Sequence, residues 1–198
     1  MSQLAFSCNV ANFNVSGKKW VATHDKHFDG LHASAVVFDS FSPGVSPGVS
    51  PARILLLQRA ASDSMPHKWE LPGGAVDGED VTILDGCARE LQEETGLTAI
   101  RILRRVTEGA GGDDLTVFTN STGKRIFCKF VFEVDVADGV EIVLDPNEHQ
   151  DWVWASEKDV VEGRVGAEDG KSIPLTAPHV RRIIMEAFKL RKEEEAQK

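Results

Sequence analysis

Cysteine is scarce in this chain. Cys8, Cys87 and Cys128 are too few and too scattered for a disulfide framework, and their spacing fits no zinc site. A small disulfide-stapled fold is thereby excluded, and a reducing compartment is expected. Basic charge is short as well: 22 Lys and Arg face 31 Asp and Glu, a net charge of −9. Such a chain repels a nucleic-acid backbone or an anionic membrane, so neither a nucleic-acid polymer nor a membrane is an expected partner. A phosphate-bearing ligand would need a bridging cation. Long apolar runs are missing too. The opening MSQLAFSCNVANFNV lacks the basic start and apolar core of a signal peptide, and no later stretch reaches membrane-spanning length. A cytoplasmic protein is expected, and a nuclear pool is compatible with the same features.

The remaining composition, 41% apolar and 27% charged over 198 residues, is enough to build and solvate one core, so residues 1–198 read as one domain. Strand and helix signals alternate along it. LHASAVVFD (31–39) and RILLLQ (53–58) read as strands, and KRIFCKFVFEVDV (124–136) alternates as a long one with Ile126, Cys128, Phe130, Phe132, Val134 and Val136 on one side. Between the first two, SPGVSPGVSP (42–51) is dense enough in Pro and Gly to forbid helix and central strand, which makes it a loop insertion. Trp152 and Trp154 suggest a further strand, and SEKDVVEG a short helix capped by Ser156. Val180, Ile183, Ile184, Ala187 and Phe188 mark a C-terminal helix over 177–192, with Pro178 in its first turn.

The chemistry concentrates in HKWELPGGAVDGEDVTILDGCARELQEETGL (67–97). Pro72, Gly73 and Gly74 turn the chain. Leu84, Cys87, Ala88 and Leu91 then form one apolar helix face, and Gly96 ends the helix. Glu90, Glu93 and Glu94 emerge together on another side. Like charges at that spacing repel by about 0.2–0.5 kcal/mol per pair, and carboxylates near a helix C-terminus also oppose its dipole. Arg89, one turn from Glu93, offsets part of this.

Gly74, Arg89-Glu90-Leu91, Glu93-Glu94 and Gly96-Leu97 resemble the Nudix box. The LPGG approach, Gln58-Arg59, Trp69-Glu70-Leu71, and Glu148-His149 ahead of Trp152 and Trp154 extend the likeness over about residues 31–160. One departure stands out. Fourteen residues separate Gly74 from Arg89 where the family pattern has thirteen, so either Glu79 or Asp80 occupies the place of the first box glutamate.

The resemblance implies an α/β (α+β) sandwich, a mixed β-sheet between α-helices with the box helix facing the substrate cleft. It further implies a hydrolase that cleaves the phosphoanhydride bond of a nucleoside diphosphate linked to another moiety, through attack of a metal-activated water. Mg²⁺ or Mn²⁺ is the implied cofactor, since clustered carboxylates are hard oxygen ligands. Glu90, Glu93, Glu94 and the carbonyl of Gly73 are the implied metal ligands. Arg89, Glu93 and Glu148 are the implied catalytic residues: Arg89 orients the glutamates, and either a box glutamate or Glu148 serves as general base, with Asp145 and Asp151 as rivals. Arg59, Trp69 and Gly74 are candidate substrate contacts, although Arg59 equally suits an ion pair and Trp69 a core position. His149 suits either a phosphate contact or a place beside a carboxylate. Arg101, Arg104 and Arg105 read as a solvated face, and Cys87 as core. The partner is a small diphosphate, and the family offers both monomers and homodimers. Two other functions share the fold: a non-catalytic nucleotide-binding module, and an isoprenyl diphosphate isomerase, for which no suitable cysteine is evident.

Overall fold

The computed structural model describes residues 4–24, 27–39, 51–110, 114–120, 122–166 and 169–197. The insertion 42–51 lies outside them except for Pro51. The N-terminal part forms β1 (Ala5–Phe6), a 3₁₀ turn (Cys8–Phe13) and α1 (Gly17–Ala22). Next come β2 (Gly30–Val36), β3 (Arg53–Arg59), β4 (Trp69–Glu70), β5 (Gly73–Ala75) and α2 (Ile83–Thr95). The chain continues through β6 (Ala99–Val106), β7 (Thr116–Thr119), β8 (Ile126–Val136), β9 (His149–Ser156) and α3 (Glu157–Glu162). A small hairpin, β10 (Arg164–Val165) with β11 (Lys171–Ser172), precedes α4 (Pro178–Glu195).

The main sheet is mixed, in the order β1-β6-β8-β2-β5, with β7 also paired to β8. β2 runs parallel to β8, and β1 parallel to β6, while the other pairs are antiparallel. A second sheet, β4-β3-β9, is wholly antiparallel and touches the first through the Phe38–Ile54 bridge.

Strand alternation divides the interior into two cores. Ala33, Ala35, Leu55, Leu57, Phe130 and Phe132 face α2 and pack with Leu84, Cys87 and Leu91. Val36, Ile54, Leu56 and Val131 face the other way and meet Ile183, Ile184, Ala187 and Phe188 of α4. The expected mixed sheet between helices is present, with the small sheet added to it. Val10, Phe13 and Trp20 bring the N-terminal segment into the α2-side core, a role the sequence left unassigned.

Two expectations are corrected. Arg104 is not solvated: it pairs with the buried Glu133, which Arg191 of α4 also holds at 2.9 Å. Arg105 lies half-buried over the Phe13 and Phe130 rings. Among the described residues no helix is long and apolar enough to cross a membrane.

Candidate functional site

Helix α2 begins where Thr82 Oγ1 accepts the amide of Asp85 and ends at Gly96 with φ 71°. Its apolar stripe fixes its rotation, and that rotation grades the three glutamates by burial. The Glu94 side chain is 6% exposed, Glu90 13% and Glu93 59%. These residues are therefore not an ordinary solvated face. Glu94 is pressed inward, where its Oε2 accepts the Gly73 amide at 2.6 Å. Burial drives its pKa up to about 7, against the pull of His149 and the Gly73 N–H. Burial raises the Glu90 pKa as well, although Arg89 opposes it.

The two glycines of the turn are there for close approach. Gly73 has φ 142°, and a Cβ on it would collide with the backbone of Ala33 and Ser34. A Cβ on Gly74 would strike the Glu90 carboxylate. β5 can thus pair closely with β2 only without a side chain at Gly73, and lie directly against α2 only without one at Gly74.

Arg89 gathers the acids around it. Its Nη1 donates to Glu90 Oε1 at 2.9 Å and to Glu93 Oε2 at 2.8 Å, and its Nη2 donates to the Ala75 carbonyl at 2.9 Å. The remaining edge of the guanidinium forks onto Asp80, with both N–O distances 2.9 Å. Asp80 also accepts the Asp77 amide at 2.7 Å, and although burial alone would raise its pKa, these bonds lower it overall. Of the two residues left open by the longer loop, Asp80 is the one bonded to Arg89, and Glu79 is exposed.

The second sheet supplies a chain of ion pairs that the sequence did not announce. Arg59 donates to Asp63 at 2.7 and 2.6 Å and to Glu70 at 2.5 Å. Glu70 in turn faces His149 Nε2 at 3.3 Å, and His149 Nδ1 lies 4.0 Å from Glu94. His149 is 2% exposed, and its Nδ1 is buried without a hydrogen-bond partner. Burial lowers its pKa, yet Glu70 and Glu94 outweigh burial and raise it. Glu94, Glu148 and His149 each present a ligand atom within 4.8 Å of the others, with Glu148 exposed.

For the two candidate substrate contacts with a second reading, the geometry matches that second reading. The Trp69 ring is completely buried in the α4-side core, so neither of its faces can meet a base. Arg59 commits three of its donors to two carboxylates, which leaves its charge neutralised. The rivals to Glu148 are occupied too: Asp145 shapes the loop by accepting the Asn147 amide at 2.9 Å, and Asp151 pairs with Lys171 at 2.5 Å. Glu70 was missed as a site residue, whereas the sequence leaves open readings for Asp80 and His149, and His149 takes the place beside carboxylates. Glu70 carried one signal, a charged residue set between two buried neighbours, Trp69 and Leu71.

The NUDIX domain pattern matches residues 33–176 of this sequence. The chain belongs to the Nudix family. An RNA pyrophosphohydrolase from Bartonella quintana is 41% identical over 49 residues, 24% of this chain and 27% of that protein. The similar stretch therefore spans less than a third of that relative. Among solved structures, the NUDIX domain of Shewanella oneidensis NrtR, crystallised with ADP ribose, superposes with a TM-score of 0.58 at 18% identity, covering 87% of this chain and 97% of that one. A MutT protein from Methanosarcina mazei Go1 superposes with a TM-score of 0.55 at 20% identity, covering 86% and 99%. At such identities the superpositions establish the Nudix fold and leave the chemistry to the site.

Proposed function

We propose that this Nudix protein is a divalent-metal-dependent hydrolase that cleaves the phosphoanhydride bond of a nucleoside diphosphate linked to another moiety. The observation that carries the reading is the buried Glu94 carboxylate, gripped by the Gly73 amide and set beside Glu90, Glu148 and His149. So many acids in a half-enclosed space fit a hard cation, and Mg²⁺ or Mn²⁺ suits all-oxygen donors. Glu90, Glu93, Glu94 and the Gly73 carbonyl would hold it, with Glu148 beside them. Bound there, a divalent ion supplies the positive charge that draws in a diphosphate, polarises a phosphoryl oxygen and acidifies water.

The protein's own groups have distinct parts. Arg89 is a positioning residue that fixes the Glu90 and Glu93 side chains and is itself fixed by Asp80. Gly73 and Gly74 let β5 close on β2 and on the Glu90 carboxylate, and the Gly73 amide holds Glu94. Glu148, exposed at the cluster, accepts the proton of the attacking water, whose oxygen bonds to phosphorus as the bridging P–O bond breaks. His149, locked between Glu70 and Glu94, steadies the charge of the buried carboxylate.

The packing supports one folded unit, because the N-terminal turn and α4 complete its two cores. Three free cysteines support a reducing compartment such as the cytoplasm. Two of them, Cys87 and Cys128, are buried, which argues against an isomerase that needs a cleft cysteine.

The deciding experiment supplies nucleotide sugars, ADP-ribose, NADH, coenzyme A, dinucleoside polyphosphates, oxidised nucleoside triphosphates, inositol pyrophosphates and 5′-triphosphorylated RNA with Mg²⁺. Turnover of at least one nucleotide, abolished by chelation, is the expected result. Tight binding without turnover throughout would make the protein a sensing module instead.

Asp80 and Glu79 give a narrower test. Removing an outer partner of a metal site costs about 10–100-fold in activity. Asp80→Asn is expected to lose activity in that range because the Arg89 fork loses its charged partner, whereas Glu79→Gln should leave kcat and KM unchanged. The opposite ranking would reverse the assignment.

A further inference from the structure

One face of the main sheet carries a group of residues that neither core uses. Residues of one row face the same way across adjacent strands. His32 of β2 lies opposite Lys129 of β8, and Lys129 lies opposite Thr116 of β7. One row along, Phe127 lies opposite Phe118, and the two rings stack with centroids 5.4 Å apart. The His32 ring stands edge-on to both, at 5.1 and 5.3 Å. Gly30 opposes Phe127 with no side chain, and a Cβ there would sit 3.2 Å from the ring. α4 covers the far end of the same face, where Val131 enters its core and Glu133 meets Arg191. Phe118 and Phe127 belong to neither core and are half-buried.

Charge points the same way. Among the described residues the Lys129 ammonium makes no hydrogen bond or ion pair, and burial pushes its pKa down while Glu70 and Glu94 pull it up from a distance. Glu70 already serves Arg59 and His149. On the reading above, Glu94 is engaged by a metal ion. His32, held neutral at pH 7 by a pKa lowered to about 4 through burial and the Lys129 charge, adds no positive charge of its own. Lys129 is thus a half-buried cation whose carboxylate neighbours are spoken for, on the same face as an aromatic patch. An aromatic base has a π-face for such a patch, and its phosphate has the charge for such a lysine.

We propose that Phe118, Phe127 and His32 form the platform for the base of the substrate nucleotide, and that Lys129 anchors the phosphate nearest that nucleoside. The inference rests on the hydrolase reading only for the position of the diphosphate. It makes the substrate a nucleotide and disfavours inositol or isoprenyl diphosphates, which have no ring to stack.

The test is equilibrium binding of ADP and of inorganic pyrophosphate, each as its methylene-bridged analogue that cannot be hydrolysed, with Mg²⁺ present to engage Glu94, by calorimetry or NMR titration. Phe127→Leu is expected to weaken ADP about tenfold, within the range for a lost base–aromatic stack, and to leave pyrophosphate unchanged. Lys129→Met should weaken both ligands, and Lys129→Arg should restore them. Magnetisation transfer between adenine protons and the Phe118 and Phe127 rings in the unmodified protein gives the same answer should a variant fail to fold. An equal effect of Phe127→Leu on both ligands, an unchanged ADP affinity in Lys129→Met, absent ring contacts, or no ADP binding at millimolar concentration would each overturn the proposal. A protein that binds ADP in this pattern but turns over nothing with Mg²⁺ would retain this site and lose the hydrolase assignment.

Discussion

Glu93→Gln and Glu94→Gln are each expected to reduce Mg²⁺-dependent hydrolysis by roughly 10³-fold, because a metal ion's share of transition-state stabilisation is several kcal/mol and each 1.36 kcal/mol is tenfold in rate. The two variants reach that outcome from different starting points. Glu93 is 59% exposed and makes its one described side-chain bond to Arg89, so the amide removes a ligand charge with no cost to the fold. Glu94 is buried, and a glutamine there still offers an oxygen to the Gly73 amide. Its loss should therefore leave the metal-free protein as stable as before or more so, since a charge that burial disfavours has gone. Activity and stability are predicted to move apart, which separates a lost ligand from a damaged fold. Product release with Mg²⁺, read alongside melting of the EDTA-treated proteins, checks both halves. Parental turnover in either folded variant would remove the carboxylates from the chemistry.

The box helix was legible because two independent signals agree on it. Leu84, Cys87 and Leu91 give its period, and Gly96 gives its end, so α2 occupies the expected stretch with Cys87 in the core. The long β8 was readable for the same reason: Cys128, Phe130, Phe132 and Val134 alternate into one core. Less of the site could be read. Arg59 with its near neighbour Asp63, Glu70 and His149 come from three separate segments that the pairing of β3 with β4 and β9 brings together, and the Gly73 amide holds Glu94 of α2 beside them. Strand pairing is set by tertiary packing, and nothing local in WEL or NEH encodes the partner. Lys129 illustrates the same limit. Alternation reveals that it points away from the Phe130 core, and by default that direction reads as solvent. Whether the second face is covered depends on where α4 lies. Arg104 was misread on the same ground, because the helix that brings Glu194 to it begins more than seventy residues later in the chain.

Raising the pH of the metal-free protein from 5 to 8 is expected to remove about 3 kcal/mol of stability contributed by Glu94, read as the difference between the parent and Glu94→Gln, and Mg²⁺ should restore most of that loss. The Glu94 pKa rises from 4.5 unfolded to about 7 folded. Between those values the folded state holds a proton that the unfolded state has released, so folding is favoured at the acid end and loses that advantage as pH climbs through 7. A shift of that size at 1.36 kcal/mol per unit gives the figure of about 3 kcal/mol. His149 acts in the same sense. Its pKa is also raised on folding, so its contribution too disappears as pH rises. His32, lowered to about 4 chiefly by burial, and His179, also lowered by burial, work in the opposite direction within the same window and do so equally in Glu94→Gln, while Asp63, held down to about 2 mainly by its bond from Arg59, does so only under more acidic conditions, as do Glu70 and Asp80. Cation binding requires the ionised Glu94, so it should release protons below pH 7, and the melting-temperature gain from Mg²⁺ should grow from pH 5 to pH 8. Glu94→Gln is expected to remove the Glu94 contribution from the metal-free slope, leaving the rise with pH that His32 and His179 give, and to shrink the Mg²⁺ gain together. Thermal melts of both proteins, with EDTA and with Mg²⁺ across that range, measure it. An identical slope in parent and variant would mean that the carboxylate is not held in the strained, cation-seeking state on which the site depends.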